Sequence, residues 1–209
     1  MKNLITYIQE GFKIGKTKAK SYNNYIYFPK NRDELHKIIK KRIEEDPNAD
    51  LNDIDVSEIT DMKYLFMSLD PYNIDISEWD VSGVENMNRM FYRCTNFNCD
   101  LSNWDVSNVE DMSHMFFVCE KFNCDLSEWN VSKVEDMSYM LCSCEIFDSN
   151  LSKWNVENVK DMSYMFSACK KFKGKGLENW KLTECKDISG IFNRCTKIKN
   201  KDILKLNKK

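Results

Sequence analysis

The chain has 209 residues, of which 42% are hydrophobic and 12% aromatic, with only three Pro and six Gly. This composition excludes a disordered or linker-rich protein and provides enough apolar residues for a core. The net charge of −2 gives no indication of nucleic-acid binding, but the charge is unevenly distributed. Residues 51–169 carry 7 basic and 22 acidic groups, whereas residues 170–209 carry 13 basic and 4 acidic groups.

The first residues and the cysteines indicate the compartment. Residues 1–10 contain only isolated pairs of apolar residues, so neither a signal peptide nor a membrane span is predicted there. The nine cysteines are an odd number, and in a chain without an export signal they are expected to be reduced thiols. These features predict a cytoplasmic protein.

Three short elements are predicted before the main body of the chain. Residues 1–12 have the apolar spacing of a short amphipathic helix, and the Tyr-rich segment from Tyr22 to Phe28 is typical of a strand. Asn31 or Asp33 is suited to cap a helix over about residues 32–45. We expect residues 1–50 to form a helical and strand-containing cap over the edge of the next unit, or a leader.

A repeat begins after residue 50. Each copy except the first has a tryptophan. The number of residues between successive tryptophans is constant, except that the last tryptophan lies one residue further along the chain. They are Trp79, Trp104, Trp129, Trp154 and Trp180. Valine, methionine, phenylalanine and cysteine positions keep the same step, which indicates a repeat architecture. We predict six copies and a basic tail: 51–75, 76–100, 101–125, 126–150, 151–176, 177–202 and the tail 203–209.

Within the copy 101–125, the apolar spacing changes partway. The segment from Leu101 to Val106 alternates apolar and polar residues, which predicts a strand. The apolar residues that follow are spaced as on one face of a short helix, and Ser107 with Glu110 matches a capping box. The sequence therefore predicts an α/β solenoid of about six strand–helix repeats, in which equivalent side chains stack in continuous columns.

Two sets of residues at repeated positions are of types that can bind metals. The cysteines that recur from Cys94 to Cys195 are expected to be core residues, since cysteine behaves as a small buried hydrophobe, and Cys99 with Cys124 lacks the further ligands that zinc needs. The acidic positions either hold calcium or form turn hydrogen bonds. They are Asp75, Asp100, Asp125, Asn150, and Asp80, Asp105, Asn130, Asn155. No metal or other cofactor is predicted.

The series from Val109 through Met112, Met115 and Phe116 to Cys119 resembles the BspA-like leucine-rich-repeat pattern. The longer motif from Trp104 to Phe116, Trp-Asp-Val-Ser-Asn-Val-x-Asp-Met-Ser-x-Met-Phe, resembles more closely the 25-residue variant in mycoplasma and other bacterial surface proteins. This resemblance implies a right-handed leucine-rich-repeat-like solenoid that binds other molecules, often host or cell-surface proteins, and it implies no catalytic residues. The start of the chain, up to Leu35, also resembles the opening of many proteins of crAss-like gut bacteriophages, which would imply a virion-associated protein.

Two variable sets of residues are candidate binding surfaces. The first set either contacts a partner or shields the core: Tyr64, Arg89, His114, Tyr139 and Tyr164. The second set lies beside the tryptophans: Glu78, Asn103, Glu128, Lys153 and Asn179. The chain offers two histidines and no phosphate-binding or nucleophile motif, so no enzyme activity is predicted.

The leading functional hypothesis is a non-enzymatic module that binds a protein partner. The alternative is a structural or virion-associated protein that assembles through its acidic body and basic end, with salt-sensitive oligomers as its signature. Nucleic-acid contact by residues 170–209 is disfavoured, because the acidic body would repel DNA.

Overall fold

The computed structural model describes residues 25–67, 69–71 and 73–199. The predicted helix over residues 1–12, the beginning of the strand predicted from Tyr22, and the basic tail 203–209 lie outside the described residues. The same is true of the last residues of the sixth copy, 200–202.

Helix α1, Arg32–Glu45, confirms the helix predicted over residues 32–45. Asn31 is its N-cap, and the Asn31 side-chain oxygen accepts a hydrogen bond of 3.0 Å from the backbone N–H of Glu34. This bond satisfies one of the N–H groups that the first turn of a helix leaves free. Leu35 and Ile39 lie on the same face of α1 and are fully buried, so α1 is held by its apolar face against the repeats.

Helix α1 and residues 25–28 pack against the first repeat. Tyr27 forms an isolated parallel bridge with Ile54, and of the described residues 25–28 of the predicted strand no other pairs in this way. Arg42 of α1 binds both carboxylate oxygens of Asp53, at 3.0 and 2.8 Å. His36 places its Nδ1 atom 2.8 Å from the carbonyl oxygen of Leu65, where it can act as a hydrogen-bond donor.

The predicted α/β fold class is wrong. Among the described residues, α1 is the only α-helix, and the only other helical element is one turn of 3₁₀ helix, Leu177–Asn179. In place of strands, single residues of successive copies form isolated parallel bridges, and in place of helices each copy is a run of turns and bends. The bridges join Asp61, Asn86, Asp111, Asp136, Asp161 and Asp187 in order. The repeats are therefore not strand–helix units.

Hydrogen bonds between copies explain why no helix forms where the apolar spacing predicts one. The N–H groups of Met87, Arg89 and Phe91 donate to carbonyl oxygens of the next copy, at 2.9 to 3.0 Å. The intervening Met90 donates to the carbonyl oxygen of Met87, three residues earlier. An α-helix needs each N–H for a bond to the residue four positions earlier. Because alternate N–H groups bind the next copy, the segment is a series of turns.

The capping box predicted for Ser107 is also wrong, because Ser107 bonds to the aspartate two residues earlier and no helix follows it. In the third copy, the backbone N–H of Ser107 donates to Asp105 Oδ1 at 3.0 Å, and Ser102 donates likewise to Asp100 at 3.0 Å. A third such bond of 2.8 Å joins Ser113 to Asp111. These are Asx turns, in which a short carboxylate takes the place of a backbone acceptor. They confirm turn hydrogen bonding as the role of the acidic positions.

The predicted columns of stacked core side chains are confirmed. The rings of Trp79 and Trp104 lie 6.4 Å apart at an interplanar angle of 3°, and those of Phe91 and Phe116 lie 5.5 Å apart at 1°. The stacked rings are almost completely buried from solvent. Removing such a side chain from water contributes about 1.5–3 kcal/mol, so each copy adds stability only while it is covered by its neighbours.

The cysteine column lies in the core, as predicted. Cys94, Cys119, Cys144 and Cys169 are completely buried, and Cys195 is partly buried in the last copy. Each thiol donates to a carbonyl oxygen of the preceding copy, for example Cys119 Sγ to the oxygen of Phe91 at 3.0 Å. Burial raises the pKa of each of these thiols, so the thiols of the column stay protonated and are unreactive.

Candidate interaction surface

The first candidate set has the same unusual backbone conformation in every copy. We call Tyr64, Arg89, His114, Tyr139 and Tyr164 the aromatic row. Their φ angles are between 53° and 59°, in the left-handed region that residues other than glycine rarely adopt. The N–H of each donates to the next copy at 2.8 to 3.0 Å, as Tyr139 does to the carbonyl oxygen of Ser163. The backbone under these side chains is therefore fixed by the stack.

The structure brings the side chains of the aromatic row together. The His114 and Tyr139 rings lie 4.7 Å apart at an interplanar angle of 14°, and Tyr139 and Tyr164 lie 4.9 Å apart at 12°. At the other end, the guanidinium carbon of Arg89 lies 5.7 Å from the centre of the Tyr64 ring, and Arg89 Nη1 donates to the Tyr64 hydroxyl at 3.2 Å. The row is thus a preformed column of flat side chains whose edges reach the surface.

A second row beside it was missed in the sequence. Met67, Tyr92 and Phe117 occupy the position three residues after the aromatic row in the first three copies. The rings of Tyr92 and Phe117 stack 4.9 Å apart at 9°, and Phe117 lies 5.7 Å from His114. The sequence does contain a signal for this row: the residue that follows the core phenylalanine is large and apolar in the first three copies. In the later copies it is small or polar: Cys142, Ser167 and Asn193.

Together the two rows form what we call the aromatic face: the aromatic row with Met67, Tyr92 and Phe117. Its most exposed apolar side chains lie in the first copy, where Tyr64 is 40% exposed and Met67 is 37% exposed. Exposed apolar side chains that lie next to one another are unusual on a soluble protein surface unless they contact something. The face therefore combines rigidity, aromatic area and partial exposure, which are the properties of an interaction surface.

His114 is the one member of the face with an unsatisfied group. Its Nδ1 atom is buried and has no hydrogen-bond partner, which among the described side chains is true of no other nitrogen or oxygen. Burial lowers the pKa of His114, and the positive charge of Arg89 lowers it further. The imidazole is therefore neutral near pH 7 and packs as an aromatic ring.

The second candidate set is exposed, but it bonds mainly within itself and to neighbouring backbone. Lys153 forms an ion pair with Glu128 of the preceding copy, and the N–H of Glu78 donates to Asn52 Oδ1 at 2.9 Å. Asn179 Nδ2 donates to the carbonyl oxygen of Ser152, and Asn103 is exposed. These contacts fit a solvated edge of the stack beside the tryptophans.

The described residues contain no group of three or more His, Cys, Asp or Glu side chains placed to share a metal ion. The carboxylates of Asp75, Asp100 and Asp125 instead accept the hydrogen bonds of their Asx turns. Burial raises the pKa of Asp75, but hydrogen bonds from Ser77 and Asn52 outweigh it, and the pKa of all three carboxyl groups is lowered. Burial raises the pKa of Cys99 to about 11 and that of Cys124 to about 12. Over the described part of the chain, no helix is both long enough and apolar enough to cross a bilayer.

Comparison with protein families gives one match. Residues 34–145 and 119–209 each match the family model described as "Mycoplasma protein of unknown function, DUF285", and together they cover the chain from residue 34 to its last residue. No curated protein and no solved structure matches the chain. The resemblance of the start of the chain to phage proteins gains no support from these comparisons. The repeats and α1 from its third residue onward thus lie within the matched region, and the chain belongs to the DUF285 family of mycoplasma proteins.

Proposed function

We propose that this protein is a non-enzymatic interaction module whose aromatic face binds a protein partner. The observation that carries the proposal is the aromatic row: stacked side chains of varied type on a repeated, rigid backbone, with Tyr64 40% exposed at one end. Core positions keep similar side chains from copy to copy, whereas this row changes among tyrosine, arginine and histidine. Variation on a constant scaffold is how repeat proteins achieve binding specificity.

The left-handed backbone supports the proposal on energetic grounds. A residue with a Cβ costs roughly 1–2 kcal/mol in this conformation, and all five members of the aromatic row adopt it. The cross-copy hydrogen bonds hold the strain in place, and the stacked rings restrict one another. A partner would therefore meet side chains that are already ordered, so little conformational entropy is lost on binding.

We also propose that the repeat is of the BspA-like type. The repeat resembles the BspA-like pattern of bacterial surface proteins, whose members bind other molecules, and membership of a mycoplasma family is consistent with that relation. The leucine-rich-repeat name describes the sequence pattern here, since the strand–helix geometry that it implies is not what the copies form.

A non-catalytic role and a cytoplasmic location are part of the same proposal. The chemistry-bearing side chains serve the stack: the thiols of the cysteine column donate to backbone oxygens, and their pKa values are raised by burial. His36 bonds to the carbonyl oxygen of Leu65, and His114 stacks on Tyr139.

The proposal is tested with the full chain as bait for proteins from the cells that produce it. One variant replaces Tyr64 and Tyr92 by alanine, which removes ring area from the aromatic face at partly exposed positions. The matched control replaces Glu78 and Asn103 by alanine, on the exposed second set. We expect a partner that is retained by the wild type and the control and lost by the first variant. Equal retention by both variants would exclude the aromatic face as the site.

The alternative function, self-assembly through charged ends, is favoured by one feature of the sixth copy. The N–H groups of Met162, Tyr164 and Phe166 donate to that copy, but the equivalent N–H groups of Ile188 and Gly190 have no backbone acceptor among the described residues. Such an edge can pair with another chain.

The internal ion pairs count against this alternative. Lys160 with Glu135 and Lys181 with Glu157 join neighbouring copies, so part of the opposite charge is neutralised within one chain. Light scattering decides between the two functions: a monomer at low and moderate salt excludes self-assembly, whereas oligomers that dissociate as salt rises support it.

A further inference from the structure

The arginines of the acidic region lie on or beside the aromatic face. Residues 51–169 carry 22 acidic and 7 basic groups, and only two of the basic groups are arginines, Arg89 and Arg93. Arg89 belongs to the aromatic row, and Arg93 follows it by four residues. A region of strong negative charge thus has both of its arginines on or next to the aromatic face.

Neither arginine is neutralised by a carboxylate of the described residues. Arg89 donates to the Tyr64 hydroxyl at 3.2 Å and to Asn88 Oδ1 at 3.1 Å, both of which are neutral. Arg93 is exposed, and its backbone is fixed by a 2.7 Å hydrogen bond to the carbonyl oxygen of Phe117. In contrast, Lys153 and Lys160 of the same region pair with glutamates of the preceding copy.

The backbone of Arg93 lies beside the aromatic face. The backbone N–H of Arg93 donates to the carbonyl oxygen of Phe117, and the Phe117 ring stacks on Tyr92 at 4.9 Å. Arg93 also has a φ of 62°, so it occupies a second left-handed position of the copy, which the stack holds in the same way as the aromatic row. The backbone of Arg93 is therefore held next to Tyr92 and Phe117, and its exposed side chain brings a positive charge to this part of the stack.

From this arrangement we propose that the aromatic face binds an acidic peptide segment in which carboxylates flank a large apolar side chain. The inference rests on the proposed function and names the chemistry of the partner. Arg93 and Arg89 would bind the carboxylates, since the planar guanidinium matches a carboxylate with two parallel hydrogen bonds. The apolar side chain would pack against Tyr92 and Phe117, as anchors at protein interfaces pack into aromatic surfaces.

The negative charge of the rest of the region does not prevent this binding. At physiological salt, charges separated by more than about 8 Å are largely screened, so distant carboxylates oppose this binding little, and the opposing charges that matter are nearby ones such as Asp111 and Asp136, which act on His114. The surrounding carboxylates instead disfavour acidic ligands elsewhere on the stack, which directs them to this surface. Nucleic acid is a poorer fit, because its binding draws on many phosphate contacts and only two arginines are available.

The test uses the full chain and three fluorescent peptides of equal length that share the same Leu and Phe residues. The residues between them are Glu in the first peptide, Gln in the second and Lys in the third. We expect the Glu peptide to bind about tenfold more tightly than the Gln peptide, a difference that shrinks as salt is raised, and the Lys peptide to bind least. Fluorescence anisotropy gives the dissociation constants.

A matched pair of variants tests the arginine. Arg194 occupies the position of Arg93 in the last copy, with a φ of 60° and an exposed side chain, but Asn193 stands there in place of Tyr92. We expect Arg93→Gln to weaken the Glu peptide about three- to tenfold and to leave the Gln peptide unchanged, while Arg194→Gln changes neither. Equal unfolding midpoints of the two variants would show that a loss does not come from misfolding.

The outcomes separate this inference from the proposed function. Equal binding of the Glu and Gln peptides that is lost in Tyr92→Ala would retain the aromatic face as a binding site and overturn the acidic preference. Tighter binding of the Lys peptide, or of a single-stranded oligo-dT that Arg93→Gln weakens, would also overturn it. If no peptide binds, and if the captured partner is retained equally when the aromatic face is altered, both the acidic preference and the proposed function would be overturned.

Discussion

The indole nitrogen of Trp129 donates a hydrogen bond of 3.0 Å to the carbonyl oxygen of Leu101, 28 residues earlier in the chain. The other tryptophans of the repeat make the same bond, with lengths of 2.9 to 3.1 Å, to the copy before their own. Each tryptophan therefore fills the core with its ring and satisfies a carbonyl oxygen of the neighbouring copy with its N–H. This double role explains why tryptophan, rather than another large side chain, recurs at this position.

Replacing Trp129 by phenylalanine should destabilise the chain by about 2–3 kcal/mol, because the carbonyl oxygen of Leu101 loses its partner and the smaller ring leaves a void. Urea unfolding followed by circular dichroism measures the change. The control Asn103→Ala, at an exposed position, should stay within about 0.5 kcal/mol of the wild type. A Trp129→Phe protein as stable as the control would show that the indole hydrogen bond contributes nothing.

Two glycines should respond in opposite ways to alanine. Gly176 has a φ of 95°, and a Cβ added there would lie 2.6 Å from the Cα of Ser152, so Gly176→Ala should cost about 2 kcal/mol or more. Gly83 is not in the left-handed region, and its nearest atom would be the carbonyl oxygen of Ser57 at 3.4 Å. Gly83→Ala should therefore be neutral or stabilise by about 0.5 kcal/mol. Thermal unfolding of both proteins measures the contrast, and equal losses would contradict it.

Glycine should stabilise the chain at a left-handed position that now holds serine. Ser143 has a φ of 63°, and the bond from its N–H to the carbonyl oxygen of Ser167 would be kept in Ser143→Gly. Relief of the Cβ strain should raise the free energy of unfolding by about 0.5–1 kcal/mol. Ser107, which has no positive φ, is the control: Ser107→Gly should lose a similar amount. The same sign of change in both proteins would count against strain at Ser143.

The pH dependence of stability should contain a contribution from His114. Burial lowers its pKa in the folded chain below the value of about 6.5 expected in the unfolded chain, and Arg89 lowers it further, while Asp136 and Asp111 oppose the shift. The unfolded chain then binds more protons, so the free energy of unfolding is highest above about pH 6.5 and falls as the pH drops through and below that value.

The variant His114→Tyr isolates this contribution, since tyrosine occupies the same position in the next copy. The other histidine is present in both proteins, so the difference between their stability curves from about pH 7.5 to about pH 5 reports His114 alone. We expect a shallower fall in the variant. Parallel curves would mean that His114 titrates alike in the folded and unfolded chains.

The repeat, its length and its core columns could be read from the sequence, because they depend on the same apolar residue recurring at the same position. Trp104 and Cys119 are buried as expected. Helix α1 could also be predicted, because its capping residue Asn31 and its apolar face are both encoded by residues close together in the chain. The aromatic row could likewise be named as a candidate, since its members share one position in the repeat. The stacking of Tyr139 on Tyr164 follows from that shared position once the copies are in register.

The secondary structure could not be read in the same way. The spacing of Val109, Met112 and Met115 suits a helix face, but in the structure the N–H of Met112 donates to the carbonyl oxygen of Asp136, in the next copy. That bond joins residues far apart in the chain, so no local pattern distinguishes it from a helical bond. The aspartate two residues before Ser107 was a local signal for an Asx turn, and it competed with the capping box that we predicted.

The sequence by itself therefore determined which side chains are repeated and buried, since burial follows from apolar periodicity. Only the tertiary structure decided where the backbone hydrogen bonds go, which residues such as Arg93 and Tyr164 adopt left-handed conformations, and that Tyr92 and Phe117 lie beside the aromatic row. The physical reason is that each copy obtains its hydrogen-bond partners from its neighbours, so its conformation is set by the stack.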